Sequence, residues 1–389
     1  MAHAAAGQVK RVVIIIQENH TTDNYFRGLA PWGANVATDG PICPNPPPRP
    51  KFSAFYPPHD RRAYFAWLTN GTAEHSQFDT GADLPYYLYL AVTGAFLENH
   101  CSGFGTNSTP NHLLLVGGQT PTLGNPPRRS HPVWDMPSVL GLAETNGVSW
   151  SGYTAGQNYP LQFYTQLQGS KKLLPSSQFV TDAKAGRLPA LVYLWHDSGK
   201  DEHPPANITT GMNAVWESVD AVVQSGGWNE TVFMLTWDDW GGFDDHVRKT
   251  PVVEYTPDNV QLAYGPRIPL IMFGGHVKPG IDSRWCSHVS VPRTAIQLLN
   301  LPNLGVPRVD RDGGLADLVD IRATPNPPPP AFGSSVSMPP LPAPPRQPKP
   351  LPPFPPGAPA PVGAVLLRDG TTLPPPNDVP LPQQPNPPA

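Results

Sequence analysis

The sequence predicts an α/β fold in three layers, a mostly parallel central sheet with helices on both sides. Three observations carry this. Four short runs, at residues 9–16, 190–195, 231–236 and 268–273, are nearly continuous in apolar, β-branched and aromatic residues, as strands buried on both faces should be. Helical patterns lie between them, at 136–145, 213–224 and 291–299, and strands alternating with helices build parallel sheets. Each apolar run also stops abruptly at polar residues, and in such sheets the chemistry gathers past the carboxyl ends of strands.

In chain order, the first run ends in Gln17-Glu18-Asn19-His20. Glu18 and Asn19 leave the sheet where a ligand would lie, although an Asx-type turn explains Asn19 equally well. Glu74-His75-Ser76 is a weaker signal in a Gly/Asn-rich stretch. A glycine-rich turn from Cys101 runs into Ser108-Thr109-Pro110, and Pro110 suits the first turn of a helix. Ser108 then sits at or beside a helix N-terminus, where backbone N–H groups favour a phosphate or an alkoxide. Helix capping alone accounts for the same residues. The second run leads into a loop with Asp201 and His203 two apart. They converge on one metal or one phosphate oxygen only if that loop is held. The third run is the most informative. After Trp237 come Asp238, Asp239, Asp244, Asp245 and His246, four carboxylates and a histidine within nine residues. Adjacent carboxylates repel unless positive charge lies beside them, and a divalent cation is the usual partner. His288 precedes the last helical pattern.

Composition bounds the rest. The 389 residues carry 26 Lys and Arg against 30 Asp and Glu, a net charge of -4, with no basic run. Nucleic-acid binding is therefore not expected. No apolar stretch reaches the ~18 residues of a membrane span, and residues 1–7 show no signal-peptide pattern. Cys43, Cys101 and Cys286 have no metal-ligand spacing; one disulfide, Cys43 with Cys286, is an open alternative to free thiols. Residues 321–389 hold 26 of the 55 prolines, which favours extended polyproline-like chain. The expected organisation is a catalytic domain over 8–320 and a proline-rich extension over 321–389, with a short hairpin near 362–373 turning at Asp369-Gly370.

Together the motifs resemble the bacterial phosphoesterase family of phospholipases C and acid phosphatases, within the alkaline phosphatase superfamily. Gln17-Glu18-Asn19, with Asp23, Tyr25 and Phe26, is similar to the family's opening Q-E-N-R-S-F-D-H-Y-F-G. Gly105-Thr106-Asn107-Ser108-Thr109-Pro110-Asn111-His112 resembles its nucleophile motif G-P-T-x-P-N-R, with one extra residue and His112 in place of Arg. Asp201-Glu202-His203-Pro204-Pro205 matches D-E-H-P-P without change. Asp238-Asp239-Trp240-Gly241-Gly242-Phe243 with Asp245-His246-Val247 is similar to D-E-H-G-G-F-x-D-H-V, Trp240 standing where His is common. Gly265-Pro266-Arg267-Ile268-Pro269 resembles G-P-R-x-P, and His288 falls in the position of D-H-T-S.

The resemblance implies an alkaline phosphatase-like sandwich and a metal-dependent hydrolase of phosphate esters. The substrate would be a small molecule or a phospholipid head group, and the location secreted or periplasmic. Ser108 would be the nucleophile, forming a phosphoseryl intermediate, with His203 and His288 also catalytic. Glu18, Asn19, Ser108, Asp238 and Asp239 would hold the divalent ion, whether Ca, Mg, Mn or Zn. His75, His246, Asn111 and Asp201 would bind substrate or orient groups that do. The alternative is a catalytically weak surface or binding protein that keeps the metal for structure. A sulfatase fits poorly, because His112 replaces the Arg of C/S-x-P-x-R.

Overall fold

The computed structural model describes residues 9–45, 57–127, 130–248, 252–255, 261–333, 338–344, 365–366 and 372–373. Eight strands form the main sheet: β1 (Arg11–Gln17), β2 (Ala95–Cys101), β3 (Trp150–Thr154), β4 (Leu173–Pro175), β5 (Leu191–Trp195), β6 (Thr231–Trp237), β7 (Leu270–Gly274) and β8 (Gly280–Ser287). The principal helices are α1 (Thr22–Phe26), α2 (Arg61–Asn70), α3 (Pro85–Thr93), α4 (Ser108–Gly117), α5 (Val139–Thr145), α6 (Gln178–Lys184), α7 (Ile208–Gln224) and α8 (Ser290–Leu298). The spatial order is β8-β2-β7-β6-β1-β5-β3-β4. Within this sheet β7 pairs antiparallel with both β2 and β6, and the other pairings are parallel.

The continuous apolar run of β1 follows from its central position. Val12, Ile14 and Ile16 face one helical layer with α4, α5 and α8. Val13 and Ile15 face the other, with α1, α3, α6 and α7. Both faces are dry, so alternation with polar residues would leave buried groups unpaired. The register sets Gln17 opposite Trp237, so Glu18-Asn19 and Asp238-Asp239 leave the sheet side by side. β5 flanks β1 on its other edge, with Ile16 opposite Trp195.

Four strands, β2, β3, β4 and β8, lie outside the four apolar runs. β2 reads Ala-Phe-Leu-Glu-Asn-His-Cys and is buried throughout. Its Glu98 is tolerated because Asn35 N–H and the Ser283 hydroxyl donate to the carboxylate. β8 carries Asp282, Ser283 and Arg284 at a half-buried position in the sheet.

The packed chain continues past the expected boundary at 320. Asn326 donates through Nδ2 to Gly274 O (3.2 Å) and Val277 O (2.6 Å), and through N to Gly275 O (2.6 Å). Three indoles donate to carbonyls of the following proline-rich segment: Trp228 to Asn326 O, Trp216 to Pro330 O and Trp32 to Pro342 O. Met338 and Leu341 pack against the core. Further on, Val365–Leu366 pairs antiparallel with Thr372–Leu373, inside the stretch read as a hairpin; Asp369 and Gly370 lie outside the described residues. All three cysteines are buried free thiols, so the Cys43–Cys286 disulfide does not form. Among the described residues no helix is long and apolar enough to cross a membrane.

Candidate active site

The carboxyl ends of β1, β6 and β5 and the start of α4 converge. Ser108 opens α4 behind the N-cap Asn107, and its hydroxyl donates to Asp239 Oδ2 at 3.1 Å. Asp239 Oδ1 accepts from Gly241 N at 2.7 Å. Asp238 Oδ1 accepts from Asn19 N at 3.1 Å. Both carboxylates are fully buried. Burial, with Asp239 and Glu18 adding, pushes the Asp238 carboxyl well above the usual range. Burial and Glu18 do the same to Asp239. Glycine is required at 241: φ is +61°, and a Cβ would stand 2.2 Å from Asn19 O, so only a bare backbone lets the two acidic loops touch.

Asn19 itself has φ +67°. Its amide oxygen stands 2.8 Å from Asp238 Oδ1 and 3.1 Å from Glu18 Oε2, positions at which an amide nitrogen would donate instead. Oxygens at such spacing repel unless the amide turns over or a cation lies among them. Buried carboxylates with an amide and a hydroxyl oxygen are the donor set of a hard divalent ion. Glu18, Asn19, Ser108, Asp238 and Asp239 therefore fit the cation the sequence implies.

His112 lies on the same helical face as Ser108, one turn on. Its Nε2 is 3.3 Å from Glu18 Oε1 and 3.4 Å from Asp238 Oδ2. These three side chains bring ligand atoms within 4.8 Å of one another. Trp195 Nε1 donates to His112 Nδ1 at 3.2 Å, so the neutral ring carries its proton on Nε2, aimed at the carboxylates. In that tautomer His112 is a donor to the acidic cluster and not a metal ligand. Burial lowers its pKa, but Asp238 and Glu18 outweigh burial and the net direction is upward. The Trp195 N–H opposes a second proton at Nδ1. Burial raises the Glu18 carboxyl, and His112, with His203 and His59 behind it, more than reverses this.

His203 belongs to the loop after β5, which Glu18 N anchors by donating to Asp201 O at 2.7 Å. His203 Nδ1 is 2.9 Å from Pro204 O, which fixes the tautomer with Nε2 as the basic nitrogen.

Other expected site residues have different jobs. His288 is fully buried: Nδ1 accepts from Gly103 N (3.0 Å) and Nε2 donates to Trp237 O (3.1 Å). With both nitrogens spent on backbone, it braces the nucleophile loop against β6 and is not placed for proton transfer. Asn111 donates to Thr106 O and Asn107 O, and its Oδ1 faces Phe104 N; it ties the glycine-rich turn together instead of facing substrate. Asp201 Oδ1 accepts from Gly199 N and His203 N, shaping its own loop; burial and then Glu18 push its carboxyl up to about 6. His75 and His246 line a separate polar pocket of about 350 Å³ with Asp23, Asp39 and Asp244. There His75 pairs with Asp244 (2.8 Å) and His246 with Asp23 (2.7 Å). The buried Arg267 bridges Asp245 and Asp23, so this second acidic cluster already holds its cation.

Besides His112, three residues near the acidic cluster were not expected. Glu202 is fully buried under the site, accepting from Gln17 Nε2 (3.0 Å), Trp237 Nε1 (3.0 Å) and the Tyr87 hydroxyl. His59 Nε2 lies 3.4 Å from Asn19 Nδ2, and its carbonyl accepts from Trp240 Nε1. Trp240 itself packs on Tyr64 and Trp67. Tyr159 reaches Thr109 from the loop after β3. The i, i+4 spacing of Ser108 and His112 on a predicted helix could have flagged His112; the loop residues His59 and Tyr159 carry no such pattern.

Comparison with known proteins adds an independent line. A profile of the Phosphoesterase family matches residues 63–302. Non-specific phospholipase C6 of Arabidopsis thaliana is 28% identical over 253 residues, covering 56% of this chain and 48% of that protein. Non-specific phospholipase C3 of the same plant is 23% identical, covering 83% and 75%. Phospholipase C A of Mycobacterium tuberculosis is 23% identical, covering 46% and 40%. The chain thus spans about half the length of the first of these relatives. Among solved structures, a protein in the alkaline phosphatase superfamily from Vibrio parahaemolyticus is 12% identical with a TM-score of 0.45, covering 79% of this chain and 70% of that one.

Proposed function

We propose, for a chain that belongs to the phosphoesterase family, that it hydrolyses phosphate esters with Ser108 as nucleophile and a divalent cation as cofactor. The observation that carries this is the Ser108 hydroxyl at a helix N-terminus, 3.1 Å from Asp239 and beside the Glu18–Asn19–Asp238 oxygens. Glu18, Asn19, Asp238, Asp239 and Ser108 Oγ would hold the cation, and all-oxygen donors suit Ca²⁺, Mg²⁺ or Mn²⁺ better than a softer ion. When bound, it supplies the positive charge that lowers the pKa of the Ser108 hydroxyl and offsets charge on the phosphoryl oxygens.

The chain's own groups do the rest. Asp239 Oδ2 holds the Ser108 proton and orients Oγ. Oγ attacks phosphorus, the Oγ–P bond forms and the ester P–O bond breaks. The leaving alkoxide takes a proton, which we assign to Nε2 of a doubly protonated His203 ring whose Nδ1–H is held by Pro204 O. Water then attacks phosphorus and gives a proton back to His203 Nε2, the Oγ–P bond breaks, Asp239 returns the Ser108 proton to Oγ, and phosphate leaves.

The relatives' names make a phospholipid head-group diester the first substrate to try, beside a simple monoester. A chromogenic phosphate monoester and a chromogenic phosphocholine diester, each assayed with and without chelator, test the reading. The expected result is turnover of at least one, lost on chelation and restored by a divalent ion. Turnover that ignores the chelator, or none on either ester with any of the four metals, contradicts it.

A further inference from the structure

The loop after β3 brings a phenol to the acidic cluster from a side that no motif covers. The Tyr159 hydroxyl lies 2.9 Å from Thr109 Oγ1, one residue past Ser108 in the first turn of α4. Its ring meets the His112 ring edge-on, centroids 5.3 Å apart, and rests on Phe163 at 5.7 Å. His112 Nε2 is in turn 3.3 Å from Glu18. Tyr159 therefore stands along the helical face that presents Ser108 and His112. The Thr109 backbone N–H is held separately, by Asn125 Oδ1 at 2.7 Å, so the first turn does not depend on Tyr159 for its place.

A hydroxyl has one proton and can also accept. When Thr109 Oγ1–H donates to the Tyr159 oxygen, the phenol proton is left for another acceptor. The groups that face this space are the carboxylates of Glu18, Asp238 and Asp239, whose charges all bear on the phenol. A tyrosine hydroxyl, with an ordinary pKa of about 10, carries its proton at neutral pH. A phosphoryl group arriving among carboxylates needs donors that stay protonated, and the phenol is one.

We propose that Tyr159 is a further catalytic residue, its hydroxyl accepting from Thr109 and donating to a non-bridging oxygen of the phosphoryl group that Ser108 attacks. This rests on the phosphate-ester reading above.

The test uses the full chain with Tyr159→Phe and Thr109→Val. Three quantities are measured: kcat and KM on the chromogenic ester, affinity of the metal-loaded protein for inorganic phosphate by calorimetry, and melting temperature. Tyr159→Phe should lower kcat/KM by about 10- to 100-fold, mainly in kcat, and weaken phosphate binding about 10-fold, with the melting temperature unchanged. Thr109→Val leaves the phenol its proton and should keep most of both. Wild-type values in Tyr159→Phe overturn the proposal. So does a Thr109→Val loss as large as that of Tyr159→Phe, because the hydroxyl then only steadies the helix. If Tyr159→Phe melts early, the Thr109→Val result decides alone. A wild-type protein that turns over no ester sinks the functional reading instead, and the phosphate affinities still judge Tyr159.

Discussion

Replacing Glu202 by Gln should change how stability depends on pH. Glu202 has no contact with solvent, and burial raises its carboxyl to about 7 against the pull of the three donors bonded to it, Gln17, Tyr87 and Trp237. In the unfolded chain it titrates near its ordinary 4.5. Below that value both states hold the proton, and Glu202 contributes its full stability. Between 4.5 and 7 the unfolded chain gives up the proton while the folded one keeps it, so stability falls as pH rises through this window. The gap amounts to about 3 kcal/mol. Glutamine does not titrate. Its amide can accept from Gln17 and Tyr87 but turns N–H toward the Trp237 indole, which costs about 1–3 kcal/mol at all pH. Glu202→Gln should therefore be less stable than wild type at pH 5, with the difference closing by about 3 kcal/mol by pH 8. Urea melts of both proteins at pH 5, 6, 7 and 8 measure it. A difference that stays constant across that range would refute the reasoning, since it would mean that the three donors keep Glu202 ionised throughout.

Other outcomes follow from the same geometry. Ser108→Ala should lose turnover by a factor on the order of 10⁴ or more while its melting temperature moves little, because it forfeits one hydrogen bond; parallel assay and melting curve check this. Asp239→Asn should bind less metal by elemental analysis and run slower, yet melt higher than wild type in chelator, because one of two mutually repelling buried charges is gone. Lower stability in chelator would contradict the repulsion. Ending the chain at Thr324 removes acceptors from Trp32, Trp216 and Trp228 and the three Asn326 bonds. At about 1 kcal/mol each, the melting temperature should fall on the order of 10 °C. An unchanged melt would show that the segment is merely laid on the surface.

The central strands were readable because dry packing on both faces of β1, β5 and β6 forces unbroken apolar runs, and the acidic pairs mark where those runs end. β2 escaped because Glu98, Asn99 and His100 interrupt it, and their partners come from distant loops. The convergence of Glu18, Asn19, Ser108, Asp238 and Asp239 was legible because each lies next to a strand or helix end whose position the fold dictates. His288 and Asn111 also sit at such ends, and residue type alone does not reveal that their hydrogen bonds go to backbone. His75 and His246 were drawn into the wrong pocket because the loop after β6 travels on to Asp23 and Arg267 before it turns. Glu202 was hidden between two residues that looked more reactive. Composition marks the proline-rich extension but does not show its contacts, because the donors come from Trp32, Trp216 and Trp228 of the body.

The central claim is that Ser108 becomes covalently phosphorylated. Wild-type protein should be mixed with a phosphate ester and divalent ion, quenched in acid during turnover, digested and analysed by mass spectrometry. The account predicts one phosphoryl group on the peptide containing Ser108, fragmenting to Ser108, and none after chelation or in Ser108→Ala. Steady turnover with an unmodified Ser108, or the phosphoryl group on Thr109, would contradict it.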